Sequence, residues 1–110
     1  VCIVSAIAPY AADRAAVRSG AAAEGIPFFE VFLDASIQNL VARDPKGLYR
    51  RALAGELPHF TGVTDPYERP EQPHLHIRTD AEAIELSVTR VFALVQQLGY
   101  SGAASVGSVR

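Results

Sequence analysis

The sequence predicts an α/β fold with a mostly parallel sheet flanked by helices, and three observations carry that expectation. Apolar, β-branched or aromatic runs alternate with segments of helical period, as in strand–helix–strand units. The first such run, Val1 to Ile7, is largely apolar along its length, which suits a strand buried on both faces. A long stretch without either period, Leu57 to Pro73, interrupts the alternation and reads as a lid. With 110 residues the chain is one small domain or a piece of a larger one. Only three strands are expected, so part of the sheet is expected to be missing.

In chain order, Val1 to Ile7 is the first predicted strand, broken by Ala8-Pro9-Tyr10. Ala11 to Glu24 is Ala-rich and predicts a helix, with Gly25 placed to take a positive φ at its end. Pro27 introduces Phe28 to Leu33, a strand rich in aromatic and branched residues that ends at Asp34. Ser36 to Ala42 predicts a short helix, stopped by Asp44-Pro45 because a residue before proline avoids the α region. Lys46 to Ala54 predicts another short helix with Gly55 behind it. Leu57 to Pro73 holds four prolines and one glycine, and its Phe60 and Tyr67 favour a lid over a linker. Leu75-His76-Ile77 is a weak third strand. Ala81 to Leu98 has the strongest helical period, through Ile84, Val88, Val91, Phe92, Val95 and Leu98. Ser101 to Arg110 is small and polar and predicts a flexible tail. Residues 1–100 are thus expected to form one unit, with the lid at about 43–73.

Composition narrows the function classes. Apolar residues make up 49% of the chain and charged ones 20%, a soluble balance. A net charge of −2 gives no general attraction to nucleic acid or to an acidic membrane surface. No apolar run approaches the roughly 20 residues that span a bilayer. Cys2 is the single cysteine, which excludes an internal disulfide, fits a reducing compartment and predicts a cytoplasmic protein. Val1-Cys2-Ile3-Val4 has neither an initiator Met nor the layout of a signal peptide, and reads as a chain cut at a strand.

The densest charged cluster is Arg43-Asp44-Pro45-Lys46-Gly47-Leu48-Tyr49-Arg50-Arg51, where five of nine residues are charged and four of those are cationic. Four cations beside a mobile loop suit a ligand of several negative charges, such as a nucleotide polyphosphate; a solvated helix face is the alternative. The loop His59-Phe60-Thr61-Gly62-Val63 follows. A loop aromatic can stack on a purine, a contribution of roughly 1–3 kcal/mol per base, or it can be a hydrophobic anchor. His74 and His76 would share a strand face, but a four-ligand zinc site needs partners the lone thiol does not supply. They read as rim residues. Cys2 reads as a small hydrophobe in a buried run, and Asp34 as a turn or helix-cap residue. No Gly-x-x-x-x-Gly-Lys-Ser/Thr occurs, so the chain holds no Walker A loop.

Four segments carry a specific resemblance: Val1–Arg14 (VCIVSAIAPYAADR), Gly25–Ile37 (GIPFFEVFLDASI), Arg43–Gly62 (RDPKGLYRRALAGELPHFTG) and Val63–Pro73 (VTDPYERPEQP). In order and nearly without gaps to about Leu98, the chain resembles the C-terminal half of adenylyl-sulfate kinases, including the kinase domains fused to ATP sulfurylase in PAPS synthetases. The RD-x-KGLY block, the FTG about a dozen residues on and DPYE-x-P are a narrow signature. The resemblance implies a partial P-loop kinase-like fold with a lid, its N-terminal strand-loop-helix portion missing. It implies transfer of the γ-phosphoryl of ATP to the 3′-hydroxyl of adenylyl sulfate, giving 3′-phosphoadenylyl sulfate, with Mg²⁺. The phosphate and metal ligands are expected upstream of Val1. A homodimer, and fusion to or association with ATP sulfurylase, are further partners it suggests.

By the same resemblance, Lys46 matches a lid lysine that contacts the nucleotide substrate, and Phe60 the ring that packs on the adenine of adenylyl sulfate. His59 stands where the family usually has Gly. Ile7 and Ala8 match the Ile-Ser pair that lines the substrate pocket, Arg14 a further substrate-side motif position, and Arg43 a lid arginine near ATP. Two departures stand out. Ala8 replaces the serine of Ile-Ser-Pro, which removes a hydroxyl and any phosphoserine, and His59 for Gly restricts the backbone. Two readings follow: a fragment of an active kinase, or a kinase-like regulatory module that binds a sulfonucleotide without catalysis, as some ATP sulfurylases carry. Another P-loop nucleotide kinase is a third reading, opposed by the FTG and DPYE blocks.

Overall fold

A computed structural model of the chain describes residues 1–97. They form α1 (Ala11–Ala23), β1 (Val31–Asp34), α2 (Ile37–Arg43), α3 (Leu48–Leu53), β2 (Leu75–Arg78) and α4 (Ile84–Gln97). β1 and β2 pair in parallel, with Val31 opposite Leu75, Phe32 opposite His76, Leu33 opposite Ile77 and Asp34 opposite Arg78. The crossover that parallel pairing requires is made by α2, α3 and the irregular segment after them.

Local chemistry accounts for the element ends. α1 finishes where Gly25 adopts φ 69°, and the Ile26 amide reaches back to the Ala21 carbonyl at 2.8 Å. At the start of α2 the Ser36 hydroxyl accepts from the Asn39 amide at 3.2 Å. Asp44 turns the chain between α2 and α3. Its Oδ1 accepts from the Leu48 amide at 3.0 Å and its Oδ2 from the Tyr49 amide at 2.8 Å, which satisfies the first donors of α3. Gly47, at φ 68°, supplies the left-handed residue that this short connection needs.

Two strand expectations are corrected. Val1 to Ile7 is no strand: it shows a single bridge position at Cys2, and Val4 is 80% exposed. A β-branched run forms a ladder only where a neighbour offers backbone donors and acceptors, and no strand flanks it among the described residues. Cys2 is exposed, not a buried hydrophobe. Nor is Phe28 to Leu33 a strand throughout: β1 begins at Val31, with Phe32 and Asp34 buried and Leu33 between them exposed. The other elements fall within a few residues of expectation, with β1 starting at Val31 rather than Phe28 and α4 at Ile84 rather than Ala81. The expected helix end at Leu98 and the expected tail at Ser101–Arg110 lie outside the described residues.

The core is small. Phe32, Ala52 and Ile77 are its buried apolar side chains among the described residues. Ile77 is fully buried on β2, against which α4 packs, and the Arg90 guanidinium holds the two together by donating to the His76 carbonyl at 3.1 Å. Most of the apolar stripe of α4 is not covered: Ile84, Val88 and Phe92 are exposed. The Cα radius of gyration is 16.1 Å, whereas a compact chain of 100 residues has about 13 Å. With so little apolar area removed from water, the ordering entropy is poorly offset. The isolated 110-residue chain is therefore expected to melt over a broad, weakly cooperative transition and to bind a hydrophobic dye before melting. A sharp calorimetric transition without dye binding contradicts this.

Candidate functional site

The site residues fall into two zones, one at the front of the irregular segment and one at its base. At the front, the Asp44 cap and the left-handed Gly47 project Lys46 from the short α2–α3 connection, where it is exposed. The Lys46 ammonium makes no hydrogen bond or ion pair among the described residues. Three residues on, the Tyr49 ring meets Phe60 edge-to-face, with centroids 4.9 Å apart and planes at 78°. Phe60 is half-buried and sits in a tight turn. Its carbonyl accepts from the amides of Val63, Thr64 and Asp65 at 3.1, 2.8 and 2.9 Å, and its own amide donates to the Thr64 hydroxyl at 2.5 Å. The Gly62 amide closes the turn on the Asp65 carbonyl at 2.7 Å. His59 precedes this turn with φ 57°, the left-handed conformation that glycine takes without strain. Its ring lies 3.2 Å from Asp65 Oδ1.

At the base, Asp34 organises the contacts. It is buried at the end of β1, and its Oδ1 and Oδ2 accept from Arg69 Nη1 and Nη2 at 3.1 and 2.8 Å, a bidentate pair. Oδ2 also accepts from His76 Nε2 at 2.8 Å; a carboxylate only accepts, so that ring nitrogen carries the proton. The hydrogen bonds from Arg69 hold the Asp34 carboxyl below its ordinary pKa, against desolvation, with His76 adding to the effect. On the same face the Phe32 ring stacks between His76, at 4.9 Å, and Tyr67, at 6.0 Å, and the Arg69 guanidinium lies 5.0 Å from the Phe32 centroid. Asp34 is thus not a helix cap; Ser36 does that work. His76 is a stacked, hydrogen-bonded partner, and His74 Nδ1 accepts from the Glu30 amide at 2.9 Å.

The remaining expected site residues divide between these zones. Ile7 is exposed, and Ala8 takes φ 42° with its carbonyl held by Arg14 Nη1 at 2.5 Å. Arg43 points to the far end of β2, donating to the Thr79 carbonyl at 2.8 Å and the Thr79 hydroxyl at 3.3 Å. Ala8 and Arg14 are therefore brought together, and Phe60 is joined to the helix that follows Lys46. No hydrogen bond or ring contact links the front pair to Ile7 or Ala8. Sequence reasoning read Asp44 only as a helix stop and assigned no role to Glu68 or Arg69. Their signals were the Asp-Pro-x-Gly turn and the DPYE-x-P motif itself.

Comparison with known proteins places this geometry. The sequence matches the Adenylylsulphate kinase family over residues 1–78. The chain belongs to that family. It is 48% identical over 103 residues to an adenylyl-sulfate kinase of Myxococcus xanthus (strain DK1622), covering 94% of this chain and 56% of that one. It is 51% identical over 78 residues to the bifunctional enzyme CysN/CysC of Mycobacterium tuberculosis (strain CDC 1551 / Oshkosh), covering 71% of this chain and 13% of that enzyme. The structure superposes on the Mycobacterium tuberculosis APS kinase CysC, solved in complex with AMPPNP and APS, with a TM-score of 0.76 and 46% identity over 83% of this chain and 52% of that one. The small parallel sheet and its helices are accordingly part of a P-loop kinase fold. The chain spans about half the length of the M. xanthus kinase and of the solved structure.

The ion pair at the base sets a pH dependence. Asp34 has its pKa lowered by folding, so the stability it contributes is present above the ordinary carboxylate range and is lost as pH falls through the depressed folded value. In the full-length protein, Asp34→Asn is expected to lower the melting midpoint at neutral pH by several degrees, and the gap from wild type is expected to narrow below about pH 4. A gap that stays constant from neutral pH to acid assigns Asp34 no such linkage.

Proposed function

We propose that this chain is the adenylyl-sulfate side of a kinase that transfers the γ-phosphoryl of ATP to the 3′-hydroxyl of adenylyl sulfate. The observation that carries the reading is the front of the lid, where an exposed lysine with no partner among the described residues precedes a helix whose Tyr49 packs on Phe60. An aromatic face and a cation on neighbouring rigid elements suit a base and its attached anion. Membership of the adenylylsulphate kinase family supplies the substrate class.

In this reading Phe60 stacks on the adenine, Lys46 neutralises phosphosulfate charge, and Ile7, Ala8 and Arg14 belong to the pocket edge. His59 flanks Phe60 at the turn, and Arg43 lies on the ATP side. Phosphoryl transfer rests on positioning and charge neutralisation, and a lid that closes over the nucleotide provides both while excluding water. ATP and Mg²⁺ are the implied co-substrate and metal. Among the described residues no cluster of His, Cys, Asp or Glu is able to hold a metal ion, and the sequence has no Walker A loop. The residues present do not fit the metal or the ATP phosphates. Those groups belong to the half of the family's length that this chain does not span. The match to a bifunctional enzyme supports coupling to ATP sulfurylase. The described residues include no helix long and apolar enough to cross a membrane, and a cytoplasmic homodimer is part of the proposal.

A non-catalytic sulfonucleotide-binding module is the second reading. It is favoured by Ala8 in place of serine and by the left-handed backbone imposed on His59. Steady-state kinetics of the full-length protein separate the two, because only the enzyme phosphorylates adenylyl sulfate. In that protein Phe60→Ala is expected to raise the dissociation constant for adenylyl sulfate by roughly tenfold or more through lost stacking, and an unchanged constant removes Phe60 from the site. The purified 110-residue chain is expected to transfer no phosphate from ATP to adenylyl sulfate. Turnover by that chain alone refutes the assignment of phosphate binding to residues outside it.

A further inference from the structure

The N-terminus of α1 is capped from a distant part of the chain. Its N-cap residue is Tyr10, which offers no side-chain acceptor to the first turn. The Ala11 amide donates instead to Glu68 Oε1 at 2.7 Å, across 57 positions of sequence. Glu68 is held there at both backbone ends. Its amide donates to the Pro9 carbonyl at 2.8 Å, and its carbonyl accepts from Arg14 Nη2 at 2.5 Å. Arg14 Nη1 donates to the Ala8 carbonyl at 2.5 Å, so one guanidinium clamps the carbonyls of Ala8 and Glu68. The side chain of Arg14 is 11% exposed, with Nε 3.7 Å from Glu30 Oε2 and the Tyr67 ring 5.8 Å away.

These bonds form a closed interlock between residues 8–14 and residues 67–68. Its position matters because Ala8 has φ 42°, a left-handed value that L-residues adopt only at a cost. A strained peptide persists only where its surroundings over-determine it, and here the Arg14 clamp and the Glu68 cap do so on either side of Pro9. Both Nη atoms of Arg14 are engaged on backbone carbonyls, which leaves Arg14 a holder of the pocket edge rather than a group reaching for a ligand.

We propose that Glu68 and Arg14 are positioning residues that lock the Ile7–Ala8 edge to the base of the lid, so that adenylyl-sulfate affinity depends on two residues that do not touch it. The proposal rests on the reading that Ile7 and Ala8 border the adenylyl-sulfate site. It distinguishes the substrate side from the ATP side, because nothing in the interlock reaches Arg43 or Thr79.

The test uses the full-length kinase, with adenylyl sulfate titrated calorimetrically and the KM for ATP measured in parallel. Glu68→Ala is expected to weaken adenylyl-sulfate binding about tenfold and to leave the KM for ATP within about twofold. Glu68→Gln, which keeps an oxygen acceptor for Ala11, is expected to recover most of that affinity. Arg14→Lys, which keeps the charge but cannot span both carbonyls, is expected to repeat the selective loss and decides the matter if Glu68→Ala does not fold. Variants that bind adenylyl sulfate as wild type does, or that lose ATP and adenylyl sulfate equally, overturn the proposal. Wild-type protein that fails to bind adenylyl sulfate overturns the functional reading itself, and this inference with it.

Discussion

Asp34 carries a buried carboxylate at the end of a strand, and its need for partners fixes the rest of the molecule. An unpaired charge there would be strongly destabilising, and a bidentate arginine with a histidine donor meets the demand. Arg69, which answers it, belongs to the irregular segment between α3 and β2. Satisfying Asp34 therefore pins the base of that segment to the sheet. Phe32 reinforces the link two residues upstream, since alternation along the strand puts its ring on the same face, between His76 and Tyr67.

With the base fixed, the front of the segment is held by separate and more local means. Asp44 caps α3, Gly47 makes the turn that projects Lys46, and the Phe60 carbonyl gathers three amides. None of these bonds reaches the sheet. The irregular segment is thus tied to the sheet at its base by Arg69 and held by local hydrogen bonds at its front.

Ala8 and His59 are the two non-glycine residues at positive φ among the described residues. Each is stabilised by what surrounds it. Arg14 grips the Ala8 carbonyl, and the Phe60–Asp65 turn follows directly on His59. The backbone around Ala8 is thus held from outside by Arg14 and Glu68.

Elements whose stability is local were legible from the residues. α1 and α4 follow from alanine content and a 3.6-residue period, α2 from Ser36 and the Asp44-Pro45 stop, and the irregular segment from its prolines. Val1 to Ile7 was misread because composition measures willingness to form a strand, whereas a strand requires a neighbour. The motif blocks that contain Lys46 and Phe60 were legible, and the family followed from them. The pairings of Asp34 with Arg69, Ala11 with Glu68 and Arg14 with Ala8 belong to tertiary structure. Two of the three join residues more than thirty positions apart, where no local period or cap rule applies. Arg14 and Ala8 are only six apart, yet the same guanidinium also donates to the Glu68 carbonyl, 54 positions away. By itself the sequence determined the family and the blocks of residues that identify it. Folding decided which residues hold them in place, because a buried charge and an uncapped helix accept any partner that packing delivers.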